Sequence, residues 1–145
     1  MSDNSCSVKL RPVTTFNDDI DLLFCLLNKR QFGISHRRMP SFDEHRAFVT
    51  SHPYRAWYFV ENSQLTVGSV YLLESNHIGV NVLAGYASCI NPAIKLLCAL
   101  HQPLPPISSV RGGKFEINAA PADVDLIKEL EGSGAVMIQK TYQIP

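Results

Sequence analysis

The chain lacks most features that would send it out of the cell, into a bilayer or onto nucleic acid. Its 145 residues contain four cysteines, Cys6, Cys25, Cys89 and Cys98, with no C-x-x-C pair among them. Cys25 sits in an apolar run and Cys98 on an expected helix, so buried free thiols are the expectation. No apolar run exceeds the six residues 22–27, far below the ~20 needed to span a bilayer. The first six residues have neither the basic region nor the apolar core of a signal peptide. A cytoplasmic location is therefore expected. Neither sign of charge is in surplus: 13 basic residues balance 13 acidic ones. That balance gives no general pull toward nucleic acid or an anionic membrane. The histidines, His36, His45, His52, His77 and His101, share no zinc-type spacing, so no metal is expected.

What is present is an ordinary globular composition, 46% hydrophobic, in a length that fits one domain with residues 1–6 as a flexible end. Residues 8–13 alternate as an opening strand. Residues 18–30 place Ile20, Leu23, Phe24 and Leu27 at helical spacing, with acids leading and Lys29 and Arg30 trailing. After an irregular stretch, Ser41 and Glu44 have capping-box spacing for a second helix, whose apolar face would include Phe42, His45, Phe48 and Val49 and which stops before Pro53. Residues 56–60, 65–73 and 77–83 form an expected three-stranded meander. Asn91 and Pro92 suggest an N-cap and a first-position proline for a third helix. A proline-rich loop, a strand over 114–118, a helix over 121–131 and a strand over 136–144 complete the order. The fold class is thus α/β (α+β): a mixed sheet with helices on both faces, ordered β-α-α-β-β-β-α-β-α-β.

Particular residues narrow that class. Ile34, Ser35 and His36, then Met39, Pro40 and Ser41, Glu44 and His45, Phe48 and Val49, and Pro53 and Tyr54 with Trp57 and Tyr58 follow one another in order. They are followed by Gly68-Ser69-Val70-Tyr71-Leu72, Ile78-Gly79-Val80, Asn118 with Pro121, and Ile138-Gln139-Lys140-Thr141-Tyr142. The set resembles a bacterial stand-alone subgroup of the GNAT N-acetyltransferase superfamily over nearly the whole chain. The resemblance implies a mostly antiparallel central sheet in which the strand beginning at His77 splays from the strand over 114–118. It implies an acyl-CoA-dependent N-acyltransferase, with acetyl-CoA as co-substrate and a small amine as acceptor, an amino sugar or its nucleotide-linked form. The pantetheine arm would meet Val80 and Val82, with Asn118 on the opposite wall. The pyrophosphate would lie at Tyr86, Ser88, Cys89 and Asn91, before the third helix. The acceptor would approach His36 and Arg37. His77 or Glu74 would take the proton from the amine; the competing reading is that both merely decorate a hairpin turn. A monomer or a homodimer fits the family.

The sequence departs from the family where the chemistry lies. Ser88 and Ile90 stand at the two glycine positions of the phosphate loop, and Gly85 where a Gln or Arg belongs. Ile90 is β-branched and Pro92 lacks a donor. Asp123 stands for an asparagine, Leu130 for the usual tyrosine, and Ala135 for an aromatic residue. The loop is a degenerate one, and the alternative is a non-catalytic GNAT-like module that has lost cofactor binding and serves as an interaction domain. That alternative expects a cleft filled by Tyr86 or Ile90.

Overall fold

The computed structural model describes residues 7–30 and 39–145. His36 and Arg37, the expected acceptor-side pair, lie outside the described residues. The chain forms β1 (Val8–Pro12), α1 (Asn17–Asn28), α2 (Phe42–Thr50), β2 (Ala56–Asn62), β3 (Leu65–Leu72), β4 (His77–Val82), a 3-10 turn (Ala87–Cys89), α3 (Ile90–Leu100), β5 (Glu116–Ile117) and α4 (Val124–Gly132). The sheet runs β1-β2-β3-β4-β5; the first four strands are antiparallel and β5 lies parallel to β4.

Strand alternation sorts the side chains onto two faces. Val60, Val70, Leu72, Ile78 and Val80 pack with Ile90, Ala93 and Leu97 of α3 and Leu126 of α4. The odd-numbered neighbours face the other way, where Phe59 packs with Ile20 and Leu23 of α1 and Val49 of α2. Helices thus cover both faces, α1 and α2 on one side and α3 and α4 on the other. Ser41 does cap α2, its hydroxyl accepting the Glu44 N–H at 3.2 Å. The entry to α1 is held by Asp19, which is buried and accepts from Thr14 Oγ1 (2.7 Å), the Thr14 N–H (2.9 Å) and Arg11 Nη1 (3.0 Å). Arg11 also donates to Glu61 at 2.8 Å and lies over the Phe59 ring, so one guanidinium joins β1, β2 and α1.

The turn between β3 and β4 is organised by Asn76, fully buried and with φ of 69°. Its amide nitrogen donates to the carbonyls of Leu104 (2.9 Å) and Gly112 (2.8 Å), and its Oδ1 accepts from the Leu104 N–H at 2.8 Å. Its own carbonyl accepts the Glu116 N–H at 3.1 Å, which starts β5 beside β4. One side chain therefore pins the proline-rich loop and sets the point where the fifth strand joins the sheet.

Four expectations are corrected. Residues 135–145 form no strand, and all are exposed. The chain leaves α4 through Gly134 at φ 94°, with the Ala135 N–H donating to the Leu130 carbonyl, a left-handed cap that turns the tail away from the sheet. Alternation predicts what a segment does when offered an edge; it does not supply the edge. Cys25 is exposed, because it lies off the Ile20–Leu23 stripe of α1; Cys89 is buried and Cys98 half-buried, where burial raises its thiol pKa. Asn91 is not the cap of α3, since the 3-10 turn carries the chain into the helix two residues earlier, with Cys89 at the cap position. The last helix starts at Val124 rather than 121, because Asp123 caps it by accepting the Leu126 N–H. Among the described residues no helix is long and apolar enough to cross a membrane.

Candidate functional site

The sheet is split between its two parallel strands, β4 and the edge strand β5. β4 pairs with β3 along Ile78 to Val82, but with β5 only at His77↔Glu116 and Ile78↔Ile117. Beyond Ile78 the two strands part. The phase of the β3–β4 ladder follows from the Leu73 N–H donating to the His77 carbonyl and the Leu83 N–H to the Val67 carbonyl. In an antiparallel pair, alternate residues turn their backbone groups to the partner. His77, Gly79 and Asn81 therefore address β3, whereas the N–H and C=O of Val80 and Val82 address the opening. Asn118, just past β5, stands on the opposite wall. A cleft of about 120 Å³ lies between them, also lined by His77, Gly79 and Asp123.

A larger chamber of about 640 Å³ adjoins it, reaching from Leu23 and His45 on the α1–α2 side of the sheet to Ile90 and Leu126 on the other. Its volume is in the range that encloses a small molecule. Val80, Asn81 and Val82 form one wall and Leu23, His45 and Phe48 another, while Tyr54, Trp57 and Tyr71 supply an aromatic floor. Tyr54 and Tyr71 stack at 4.1 Å and 6°, and Tyr54 meets Trp57 edge-on at 4.9 Å. Gly79 is needed here: a Cβ at that position would fall on the ring of Tyr71, its cross-strand partner. Burial and the neighbouring Tyr71 push the Tyr54 hydroxyl up to about 12, so it stays protonated and able to donate. Glu44, Asp123 and Asp125 bring acidic groups to the chamber, and Lys29 and Arg30 basic ones.

The turn from β4 into α3 runs along one end of the chamber through Leu83, Ala84, Gly85 and Ala87. Gly85 has φ of 90°, a conformation that favours glycine. Several groups expected to cradle a phosphate are engaged elsewhere. The Tyr86 N–H donates to the Leu83 carbonyl and the Cys89 N–H to the Tyr86 carbonyl. The Asn91 amide nitrogen donates to the Glu129 carbonyl (2.9 Å) and to Glu129 Oε2 (3.0 Å), tying α3 to α4. Cys89 is fully buried, and Tyr86 packs at the margin of the main core. Ser88 lies in the 3-10 turn, away from both cavities. Ile90 is buried in the core and forms part of the chamber wall without closing it.

The two expected bases are separated by the structure. Glu74 sits exposed on the hairpin turn, outside both cavities. His77 reaches the small cleft, with Nδ1 2.8 Å from Ser75 Oγ and Nε2 3.3 Å from Glu116 Oε2. Sequence reasoning placed His45 only on the apolar face of α2. It is buried, and its Nε2 lies 3.0 Å from the Ile20 carbonyl. A carbonyl can only accept, so Nε2 carries the proton and Nδ1 a lone pair. Burial lowers the pKa of His45, against the opposing pull of that carbonyl, and favours the neutral ring. Among the described residues no hydrogen-bond partner takes Nδ1. A histidine inside an apolar helical stripe was the available signal, but only tertiary contacts distinguish a wall residue from a core one. Among the described residues no group of three or more His, Cys, Asp or Glu is placed to hold a metal ion.

This geometry has relatives among solved structures. A domain from Methanocaldococcus jannaschii DSM 2661 superposes with a TM-score of 0.62 at 16% identity, covering 90% of this chain and 88% of that one. A possible acetyltransferase from Clostridium difficile 630 gives 0.56 at 11% identity, covering 95% and 97%. The fold is GNAT-like. An aminoglycoside acetyltransferase from an uncultured soil metagenomic sample, solved in complex with sisomicin, gives 0.51 at 11% identity over 95% and 96% of the two chains. At these identities the likeness concerns the GNAT-like fold alone. No family model and no curated protein sequence matches the chain.

Proposed function

We propose that this GNAT-like protein is an acyl-CoA-dependent N-acyltransferase, with acetyl-CoA as co-substrate and a small amine of the amino-sugar class as acceptor. The observation that carries this reading is the split between β4 and β5, which leaves the Val80 and Val82 backbone groups facing an opening that joins a chamber of about 640 Å³. Unpaired strand groups at that place are costly in a folded domain unless a ligand or water pairs with them. An amide-bearing arm such as pantetheine supplies the matching donors and acceptors. The non-catalytic alternative expects the cleft to be filled by Tyr86 or Ile90, and neither residue lines the cleft between β4 and β5.

The phosphate end is the weakest fit, since the Tyr86 and Cys89 amides and the Asn91 side chain already have partners. The Ala84–Ala87 segment, with Gly85 at positive φ, is the part of the turn left to meet a diphosphate. When bound, the co-substrate supplies an activated thioester carbonyl. The protein's own contribution is to hold the amine against the aromatic floor, exclude water and take up its proton. Glu44 and the faces of Tyr54 and Tyr71 attract a cationic amine. Nδ1 of His45 is a ready acceptor for the proton once the amine is in place. His77 is the competing base, and to act it must first release Ser75 or Glu116.

Isothermal titration with acetyl-CoA and with CoA tests the reading. Binding in the micromolar range is expected. No heat up to about 1 mM, where binding is worth only about 4 kcal/mol, overturns it. With turnover in hand, loss of the base is expected to lower kcat by about 10²- to 10⁴-fold. His45→Gln and His77→Ala then assign the role by which of them shows that loss.

A further inference from the structure

We propose that the Tyr71 hydroxyl is the proton donor to the departing sulfur in the acyl transfer, an inference that rests on the acyltransferase reading. Breaking the C–S bond of a thioester leaves an electron pair on sulfur, and in a cavity that excludes water a placed donor has to meet it. That donor must reach both cavities, because the cleft brings the thioester and the chamber brings the amine. Six residues line both: Arg30, Tyr71, Val80, Asn81, Asp123 and Leu126. Guanidinium and amide groups do not release protons, and Oδ1 of Asp123 is committed to the Leu126 N–H. Tyr71 brings the hydroxyl.

Its place is fixed by packing on two sides. Tyr71 lies directly opposite Gly79 in the β3–β4 ladder. The ring folds across that glycine, so that a Cβ at position 79 would fall on its Cζ and Oη. Oη therefore stands over the backbone of β4, one residue from Val80, whose N–H and C=O face the opening. Tyr54 holds the ring from its other face, stacked at 4.1 Å and 6°. The hydroxyl itself is uncommitted: among the described residues no hydrogen bond occupies Oη. Nor is it sealed away, as the unpaired Nε1 of Trp57 is. A hydroxyl without a partner, open to a cavity and carried on a locked ring, is prepared for an incoming acceptor.

Other proton-bearing groups are placed elsewhere. Tyr86 lines neither cavity, Cys89 is fully buried, and Tyr142 lies on the exposed tail. Tyr54 lines the chamber but not the cleft. Leu130 has no proton to give. In the step itself, the acceptor nitrogen bonds to the thioester carbon and passes its proton to the base. The C–S bond breaks with both electrons on sulfur, and Oη gives its proton to that sulfur. Water entering the open chamber restores the proton on Oη and takes the one held by the base, so that the products are an amide and a thiol.

The test is Tyr71→Phe in the full chain, which keeps the ring over Gly79 and against Tyr54 and removes only Oη. Its thermal melt and its affinity for acetyl-CoA are expected to match the wild type, while kcat falls by about 10²-fold. A second readout needs no turnover: titration of the free thiol CoA, with desulfo-CoA as control, at pH 7 and pH 9. Oη donates to the sulfur of bound CoA more strongly when that sulfur is a thiolate. The ratio of variant to wild-type Kd for CoA should therefore grow by about threefold between the two pH values, and that for desulfo-CoA should stay constant. A variant that turns over within twofold of the wild type overturns the assignment. So does a loss of kcat with no pH-dependent change in that ratio, which marks Tyr71 as packing alone. A wild-type chain that binds neither acetyl-CoA nor CoA brings down the acyltransferase reading and this inference with it, whereas the first two results leave that reading standing.

Discussion

Replacing Asn76 separates two costs that the structure superimposes at one residue. Asn76→Gly keeps the left-handed backbone at φ 69° but removes three side-chain hydrogen bonds, those to the carbonyls of Leu104 and Gly112 and from the Leu104 N–H. Leu104 is half-buried and Gly112 exposed, so water recovers part of the loss. Taking about 1 kcal/mol for each bond, less what water recovers, the variant is expected to lose roughly 2–3 kcal/mol. Asn76→Ala should lose about 1–2 kcal/mol more, because an L side chain is strained in that conformation. Against a total stability of about 5–15 kcal/mol these are large changes. In urea the Gly variant's midpoint should fall by about 1–2 M for a slope near 1.5–2 kcal/mol/M. Exchange of the Glu116 amide, which donates to the Asn76 carbonyl, should accelerate with it, since loosening this residue releases β5 from β4. A loss below about 1 kcal/mol in Asn76→Gly would refute the idea that this amide clamps the long loop to the sheet.

Gly79→Ala should destabilise the protein by about 1–3 kcal/mol through collision with Tyr71, and Tyr71→Leu in the same chain should recover most of that in thermal melts. Acid titration should show two steps. His45, His52 and His101 are all held below their ordinary value, with burial the leading cause. The unfolded chain therefore takes up protons that the folded chain resists, and stability falls as pH drops below about 6.5. Asp19 is buried, which alone would raise its pKa, but Thr14 and Arg11 outweigh that and lower it. Its contribution is intact above about pH 4 and is lost as pH falls through the lower folded value. Urea midpoints between pH 7 and pH 3 measure both steps. Asp19→Asn should flatten the lower step and leave the upper one unchanged.

Much of the sheet was legible because its signals are local. Ser41 and Glu44 announce a helix start through a bond between near neighbours, and Trp57 to Val60 announce a strand through a run of aromatic and β-branched residues. Asn91 and Asp123 mark the limit of that reasoning. Asn91 looks like a cap yet reaches Glu129 on another helix, and Asp123 looks like an intrusive charge yet serves as a cap. Both residue types have many satisfactory partners, and which one is taken depends on what lies opposite. His45 went unnoticed as a site residue for the same reason, since its stripe position is the same whether it lines a chamber or fills a core.

The order of elements, the faces of the strands and the amphipathic tail are set by sequence alone, because period and capping act within a few residues. Where β4 leaves β5, how α1 and α2 stand off the sheet to open a chamber, and that the tail finds no edge in its own chain were decided by tertiary structure. Those outcomes depend on contacts between residues distant along the chain, such as Asn76 with Leu104 or His45 with Ile20, which no local pattern encodes.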